Sequence, residues 1–243
     1  MTMQVARRGG VLSLTLDRPE RGNALSASLV EELIAAVDEA FADASVHTLV
    51  LAGAGRNFCT GFDLTDFEQF SDGDLLLRFA RIEQLLSTLW HAPIRTACLA
   101  SGRTWGAGAD LLVACDERIA AEGASFRFPG PAFGIVLGTR RLSERIGVDG
   151  ARDVLTRGLE LGAPAALAAG LVSEVCTADQ VQARLEGLAA APVPDRETLR
   201  SLREATRADR RDADLAALVR SAARPGLKAR LLAYRDAQRA MRS

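Results

Sequence analysis

Lysine is almost missing from this chain. Lys228 is the only one, and the remaining basic side chains are arginines. A P-loop needs Gly-Lys ahead of Ser or Thr, and a pyridoxal enzyme needs a Schiff-base lysine; Lys228 sits in PGLKARL and offers neither context. Tyrosine is as scarce. Tyr234 stands alone with no lysine four residues on, which removes the Tyr–Lys pair of short-chain dehydrogenases. The two histidines, His47 and His91, lie far from any cysteine pair, so a zinc site is not expected. His47 reads as a surface residue and His91 as a helix C-cap. Cys59, Cys98, Cys115 and Cys176 have no CxxC spacing and read as reduced core thiols of a cytoplasmic protein. No apolar run approaches the ~18 residues of a membrane span, and the opening MTMQVARRGG lacks a secretory leader's apolar stretch. With 30 basic and 31 acidic residues the net charge is −1, without the basic excess that nucleic-acid binding needs.

What is present is a globular mix. Hydrophobic residues make up 48% of the 243, enough for a sizeable core without disulfide or metal staples. The chain opens with an alternating strand at 11–16, closed by a turn at Asp17-Arg18-Pro19. A helix begins at Ser26, with Leu29, Leu33, Ile34, Val37 and Phe41 in one stripe. Residues 47–53 and 94–100 read as buried strands, 75–91 as an amphipathic helix between them, and 117–128 as two short strands. From about Asp149 onward strands almost vanish and Ala/Arg/Leu-rich helices dominate: 150–156, 164–169, 178–188, 197–207, 215–222 and 226–241. This predicts an α/β core over 1–190, built from strand–loop–helix units, and a helical region over 191–243.

Two glycine-bearing loops each follow a buried strand: CTGFD, 59–63, and WGAGAD, 105–110, the second opening a helix. Backbone N–H groups at such turns are unpaired, and a helix N-terminus adds a positive dipole end. Two amides aimed at one point would form an oxyanion hole, where losing one donor costs about 3 kcal/mol of transition-state stabilisation. Asp110 lies three residues after Ala107, on the same face of the first helical turn. Other readings fail on the residues. Gly106 to Leu111 puts leucine where a dinucleotide fingerprint needs its third glycine, and Ser101-Gly102 is no nucleophile elbow.

RPERGNALS (18–26), LVLAGAGRNFCTGFDL (49–64), ASGRTWGAGADLLVACDERIA (100–120), FPGPAFGIVLGTRRL (128–142) and AAGLVSEV (168–175), in that order and spacing, resemble the crotonase, or enoyl-CoA hydratase/isomerase, family. The resemblance covers nearly the whole chain. It implies a ββα superhelix with a C-terminal helical trimerisation region, assembled as a homotrimer or a hexamer that is a dimer of trimers. It implies an acyl-CoA thioester as substrate, with no separate cofactor. The Phe62 and Ala107 amides would be the oxyanion hole and Asp110 the acid/base. CoA would run along Arg21, Ala24, Thr60, Gly61, Phe62, Asp63 and Leu64. Trp105, Gly106, Pro129, Gly130 and Phe133 would line the acyl end. Tyr234 matches a position that in relatives reaches a neighbour's CoA.

The chain departs from the hydratase pattern twice. The first hydratase glutamate matches Asp110, one methylene shorter, and the second matches Gly130, which has no carboxylate; neither do Pro129, Pro131, Ala132 and Phe133. Adding water across a double bond ordinarily uses one carboxylate to activate water and another to deliver the α-proton. Three readings follow. Asp110 shuttles one proton in a double-bond shift or a slow hydration. A water or small anion stands in at Gly130, as in the dihydroxynaphthoyl-CoA synthases, which look similar there, and supports C–C bond chemistry. Or the chain binds acyl-CoA without rapid turnover.

Overall fold

The computed structural model describes residues 2–240. A six-stranded sheet runs in the order β1 (Met3–Arg8), β2 (Val11–Leu16), β3 (Thr48–Gly53), β4 (Arg95–Ala100), β6 (Glu117–Ala121), β9 (Glu174–Cys176). Beside it lies a three-stranded sheet of β5 (Arg103–Trp105), β7 (Ser125–Arg127) and β8 (Glu160–Gly162). β1 and β2 form a hairpin over the Gly9-Gly10 turn, and from β2 to β9 every pairing in the large sheet is parallel. Parallel neighbours need helical crossovers. The first three helices, α1 (Ala27–Ala42), α2 (Asp72–Trp90) and α3 (Ala107–Ala114), supply those between β2, β3, β4 and β6. At Ser101-Gly102 the chain leaves the large sheet, runs through β5 and enters α3. This repeated strand–strand–helix excursion is the expected α/β superhelix.

Local chemistry explains the main helices. Ser26 caps α1 by accepting from the Leu29 amide. Ser71 and Asp74 form a reciprocal capping box that starts α2 at Asp72, one turn earlier than its apolar stripe alone predicts. α2 buries Leu75, Phe79, Ile82, Leu85, Leu86, Leu89 and Trp90, each worth about 1.5–3 kcal/mol of transfer free energy. β3 and β4 are covered on both faces. Leu49, Leu51 and Cys98 join the core under α1–α3, while Val50, Ala97 and Leu99 face Leu188 of α7 (Val181–Ala190).

Four strands escape the sequence reading. β1 buries only Met3 and otherwise lies exposed at the sheet edge, so it carries no hydrophobic period. β5, β8 and β9 have three residues each, too few to alternate, and β8 and β9 interrupt the stretch expected to be helical. The helices after Asp149 are α5 (Val148–Arg157), α6 (Ala163–Ala168), α7, α8 (Arg196–Thr206), α9 (Arg211–Ala222) and α10 (Leu227–Ala240), preceded by α4 (Thr139–Ile146). Met241, the expected end of the last helix, lies outside the described residues.

α8 buries no residue, yet it is firmly docked. Arg196 donates to Phe41 O at 2.5 Å, Val46 O at 2.7 Å and Asp43 O, all at the end of α1. Arg203 reaches Ala92 O and Ile94 O (2.9 Å) past the end of α2, and Arg207 reaches Trp90 O at 2.7 Å. Orphan carbonyls at a helix C-terminus carry partial negative charge, so guanidinium groups neutralise them while holding α8 in place. Both Arg203 and Arg207 also pair with Asp116. Burial alone would raise that carboxyl; Arg203, the Thr96 amide and Arg207 outweigh it and hold it below the usual carboxylate range. Removing the fork in Arg196→Ala is expected to cost about 1–3 kcal/mol of stability in urea unfolding, with Arg196→Lys recovering only part because an ammonium lacks the planar fork.

Candidate active site

The two glycine loops are registered against each other by main-chain hydrogen bonds. Phe58 N donates to Ser101 O at 2.7 Å and Trp105 N to Cys59 O at 2.9 Å, with Cys59 and Thr104 paired as a one-residue parallel bridge. The first loop is tied on its other side to the segment before α1: Thr60 N to Gly22 O at 3.0 Å, Leu25 N to Gly61 O at 2.8 Å, Asp63 N to Leu25 O at 3.2 Å. Gly106 N donates to Arg127 O at 2.7 Å. These bonds consume the amides around Phe62 and Ala107 and leave those two without a protein acceptor among the described residues. Ala107 is the first residue of α3, so its N–H belongs to the helix's open end.

Gly61 sets the gap between the loops. Its φ is +96°, a region that L side chains rarely adopt, and an added Cβ would lie 2.9 Å from Trp105 O and 3.3 Å from Ala107 N. The Phe62 ring is pinned away from the main chain, stacked on Phe79 at 4.3 Å between centroids with the Arg78 guanidinium 4.2 Å from its own centroid. Cys59 accepts from Gly61 N at 3.4 Å, and burial pushes its thiol up to about 12, so it is inert.

A cavity of about 810 Å³ opens over these amides. Every residue singled out from sequence lines it: Arg21, Ala24, Thr60, Gly61, Phe62, Asp63, Leu64, Trp105, Gly106, Ala107, Asp110, Pro129, Gly130, Phe133 and Tyr234. Their states differ. Asp63 is only 5% exposed and its carboxylate is spent on Arg18 at 2.8 Å and the Thr65 amide at 2.9 Å. Burial raises its carboxyl, and the bonds from Thr65 and Arg18 more than compensate and hold it low. Trp105 donates from Nε1 to Ser125 Oγ at 3.0 Å with Arg103 and Arg127 against its ring. Tyr234 lines the cavity of its own chain. Leu227 and Leu231 bury α10 beside Phe67, Phe79 and Phe133, and this folding back brings the Tyr234 ring to 5.0 Å from that of Phe133.

Asp110 is the distinctive group. It is 5% exposed, and its Oδ1 is buried without a hydrogen-bond partner. Desolvation pushes its carboxyl well above the ordinary range; Arg141 draws it down and Glu83 adds to the rise. No group of three His, Cys, Asp or Glu capable of holding a metal comes together among the described residues. No described helix is long and apolar enough to cross a membrane. His91 caps α2 as expected, its Nδ1 2.9 Å from Ser87 O.

Sequence reasoning missed four positioning residues. Asn23, fully buried, donates to Ala54 O and Asn57 O and accepts from Arg18 N, knotting the first loop to the pre-helix turn. Arg18 anchors Asp63 and Ala24 O. Both lie inside the recognised RPERGNALS stretch without a visible role there. Glu83 and Arg141 form a buried bidentate pair at 2.5 and 3.0 Å. A signal existed for Glu83: a carboxylate four residues after Phe79 and three before Leu86, on the apolar stripe of α2.

The pH dependence of stability follows from Asp110. The folded chain keeps the acid form to higher pH than the unfolded chain, so stability is lost as pH rises from the ordinary carboxylate range through the raised folded value. Asp110→Asn cannot ionise and is expected to gain on the parent as pH rises, read as urea midpoints at pH 5 and pH 9. A variant that instead loses stability relative to the parent between pH 5 and pH 9 contradicts the assignment.

The family model for enoyl-CoA hydratase/isomerase matches residues 6–225. A Mycobacterium tuberculosis protein named "Probable enoyl-CoA hydratase echA6" is 35% identical over 182 residues, covering 74% of this chain and 72% of that protein. The 2,3-dehydroadipyl-CoA hydratase of Escherichia coli is 33% identical over 184 residues, 72% of this chain and 69% of its own. A Bordetella parapertussis crystal structure named for the enoyl-CoA hydratase/isomerase group superposes with a TM-score of 0.93 at 46% identity, covering 96% of this chain and 98% of that one. With the ordered motifs, the superhelical fold and the paired glycine turns, these matches make the chain a member of the enoyl-CoA hydratase/isomerase family of the crotonase superfamily.

Proposed function

We propose that this enzyme binds an acyl-CoA thioester with its carbonyl oxygen between the Phe62 and Ala107 amides, and that Asp110 is its only proton-transfer group, favouring a double-bond shift over hydration. The observation that carries the reading is one buried carboxylate with an unpartnered oxygen, placed in the same cavity as two unpartnered amides from separate loops.

The chemistry balances with one carboxylate. Asp110 removes a proton from the carbon whose C–H electrons can delocalise into the thioester, leaving an enolate whose charge rests on the oxygen. The two amides stabilise that charge without reorganising. The same carboxyl, now protonated, returns the proton to a different carbon, and the double bond has moved with no net gain or loss of atoms. Burial suits this role: it makes the carboxylate a stronger base and brings its ionisation nearer working pH, where a group that must both take and give a proton is most effective.

The second hydratase carboxylate has no substitute nearby. A Cβ on Gly130 would sit 3.0 Å from Ile135 O, because the turn 130–133 brings the chain straight back and Ile135 N donates to Gly130 O at 2.9 Å. Of the other carboxylates lining the cavity, Asp63 is committed to Arg18, Glu68 pairs with Arg235, and Glu20 and Asp66 stand exposed to solvent, unlike the buried Asp110.

CoA would run past Arg21, Ala24, Thr60 and Leu64 at the mouth, with Trp105, Gly106, Pro129 and Phe133 on the acyl side and Tyr234 closing the cavity from α10. We place the enzyme in the cytoplasm, in keeping with four unpaired, buried cysteines, and assign it a homotrimer or a dimer of trimers, for which static light scattering should read three or six chain masses.

Steady-state assays with 3-enoyl- and 2-enoyl-CoA thioesters test the reaction. Interconversion of the two is expected, with Asp110→Asn lowering kcat by about 10²–10⁴-fold. Gly61→Ala should lower it by about 10²-fold, because it strains the turn and spreads the amides. Thioester binding without turnover in the parent, or full turnover in Asp110→Asn, would refute the reading.

A further inference from the structure

Behind Asp110 lies a charged assembly that does not line the cavity. α4 begins directly against the carboxyl: a Cβ on Gly138, its N-cap, would fall 2.2 Å from Asp110 Oδ1. Arg141, on the first turn of α4, is 1% exposed and holds Glu83 of α2, 2% exposed, in a bidentate fork. On its far side Arg141 stands 3.4 Å from Asp214 of α9, which is itself gripped by Arg140 at 2.7 and 2.9 Å. Among the described residues, the charged groups acting on Asp110 are Arg141 and Glu83. His91, at the end of α2, also feels Arg141, and its burial keeps it below the ordinary histidine value.

Two fully buried charges are a costly way to join two helices, and an apolar pair of similar volume would serve packing as well or better. Their place behind the buried Asp110 carboxylate, whose Oδ1 has no hydrogen-bond partner, suggests another use. We propose that Glu83 is a positioning residue for the proton transfer: clamped to Arg141, it fixes how much positive charge faces the Asp110 carboxylate. This rests on Asp110 being the acid/base. Arg141 alone would favour the ionised carboxylate and weaken it as a base. Glu83 cancels part of that field, and its bidentate grip keeps the guanidinium from pairing with the Asp110 carboxylate instead.

The test compares the parent, Glu83→Gln and the double variant Glu83→Leu/Arg141→Met. Asp110 ionisation is read without substrate, from the protonated-carboxyl infrared band that Asp110→Asn abolishes. Glu83→Gln leaves Arg141 less compensated, so the Asp110 midpoint should fall by about one pH unit. The double variant removes both charges, and because Arg141 acts on Asp110 more strongly than Glu83 does, the midpoint should rise. The low-pH limb of kcat with a 3-enoyl-CoA should move in the same two directions while KM changes less than kcat. If Glu83→Gln does not fold, the sign in the double variant decides. Loss of activity with an unmoved midpoint means a purely structural pair and overturns the proposal. Midpoints that shift in opposite directions while Asp110→Asn retains full turnover overturn instead the acid/base role of Asp110.

Discussion

The short main-chain ladder between 58–60 and 101–105 is what the rest of this structure serves. Two loops more than forty residues apart in sequence are brought into register by backbone bonds, from Phe58 N to Ser101 O and from Trp105 N to Cys59 O. Side-chain contacts could drift by an ångström; a paired backbone cannot without losing hydrogen bonds that stand in a dry interior. The ladder therefore does more than join two sheets. By fixing the two loops against each other it brings the Phe62 and Ala107 amides, both without a protein acceptor among the described residues, to one cavity.

The surrounding architecture protects that register. Asn23 ties the pre-helix turn to the loop before Phe58, Arg18 holds Asp63, and the stacked Phe62, Phe79 and Arg78 keep the first loop from rotating. Apart from Asp110, α3 is apolar, and it is buried along its length, so the helix offering the Ala107 amide is fixed by the core. Even α8, with no buried residue, steadies the ends of α1 and α2 through arginine forks. The scarcity of lysine becomes intelligible here. Arg196 satisfies three carbonyls and Arg203 two, a task for a planar fork that a single ammonium performs poorly.

Against this preorganised frame Asp110 is the exception, a carboxyl kept in a dry place with one oxygen unsatisfied. A group of that kind lowers stability, and enzymes retain such groups where reactivity needs them. Phe62, Phe79, Phe133 and Tyr234 form an aromatic wall on one side of the cavity, and α10 completes that wall from within the same chain. The matches give the family and the coarse reaction class, and in the function proposed above the choice of reaction turns on this single group.

Much of this was legible in the residues. Ser26 before a 3.6-residue stripe marked α1, the apolar runs marked β3 and β4, and the two glycine turns with Asp110 marked the site, because local propensity and motif spacing agree there. What stayed hidden was set by distance. Strands of three residues have no period to read, and β1 has only an edge to occupy. The Arg18–Asp63 and Glu83–Arg141 pairs join residues 45 and 58 positions apart, and nothing in either local stretch says that its charge will be buried. The sequence by itself determined the family, the long helices and buried strands, and the residue types of the candidate site. Only the tertiary structure decided which amides remain free, that α10 closes its own chain's cavity, and which charges face Asp110, since each of these depends on the burial and direction of groups that meet only after folding.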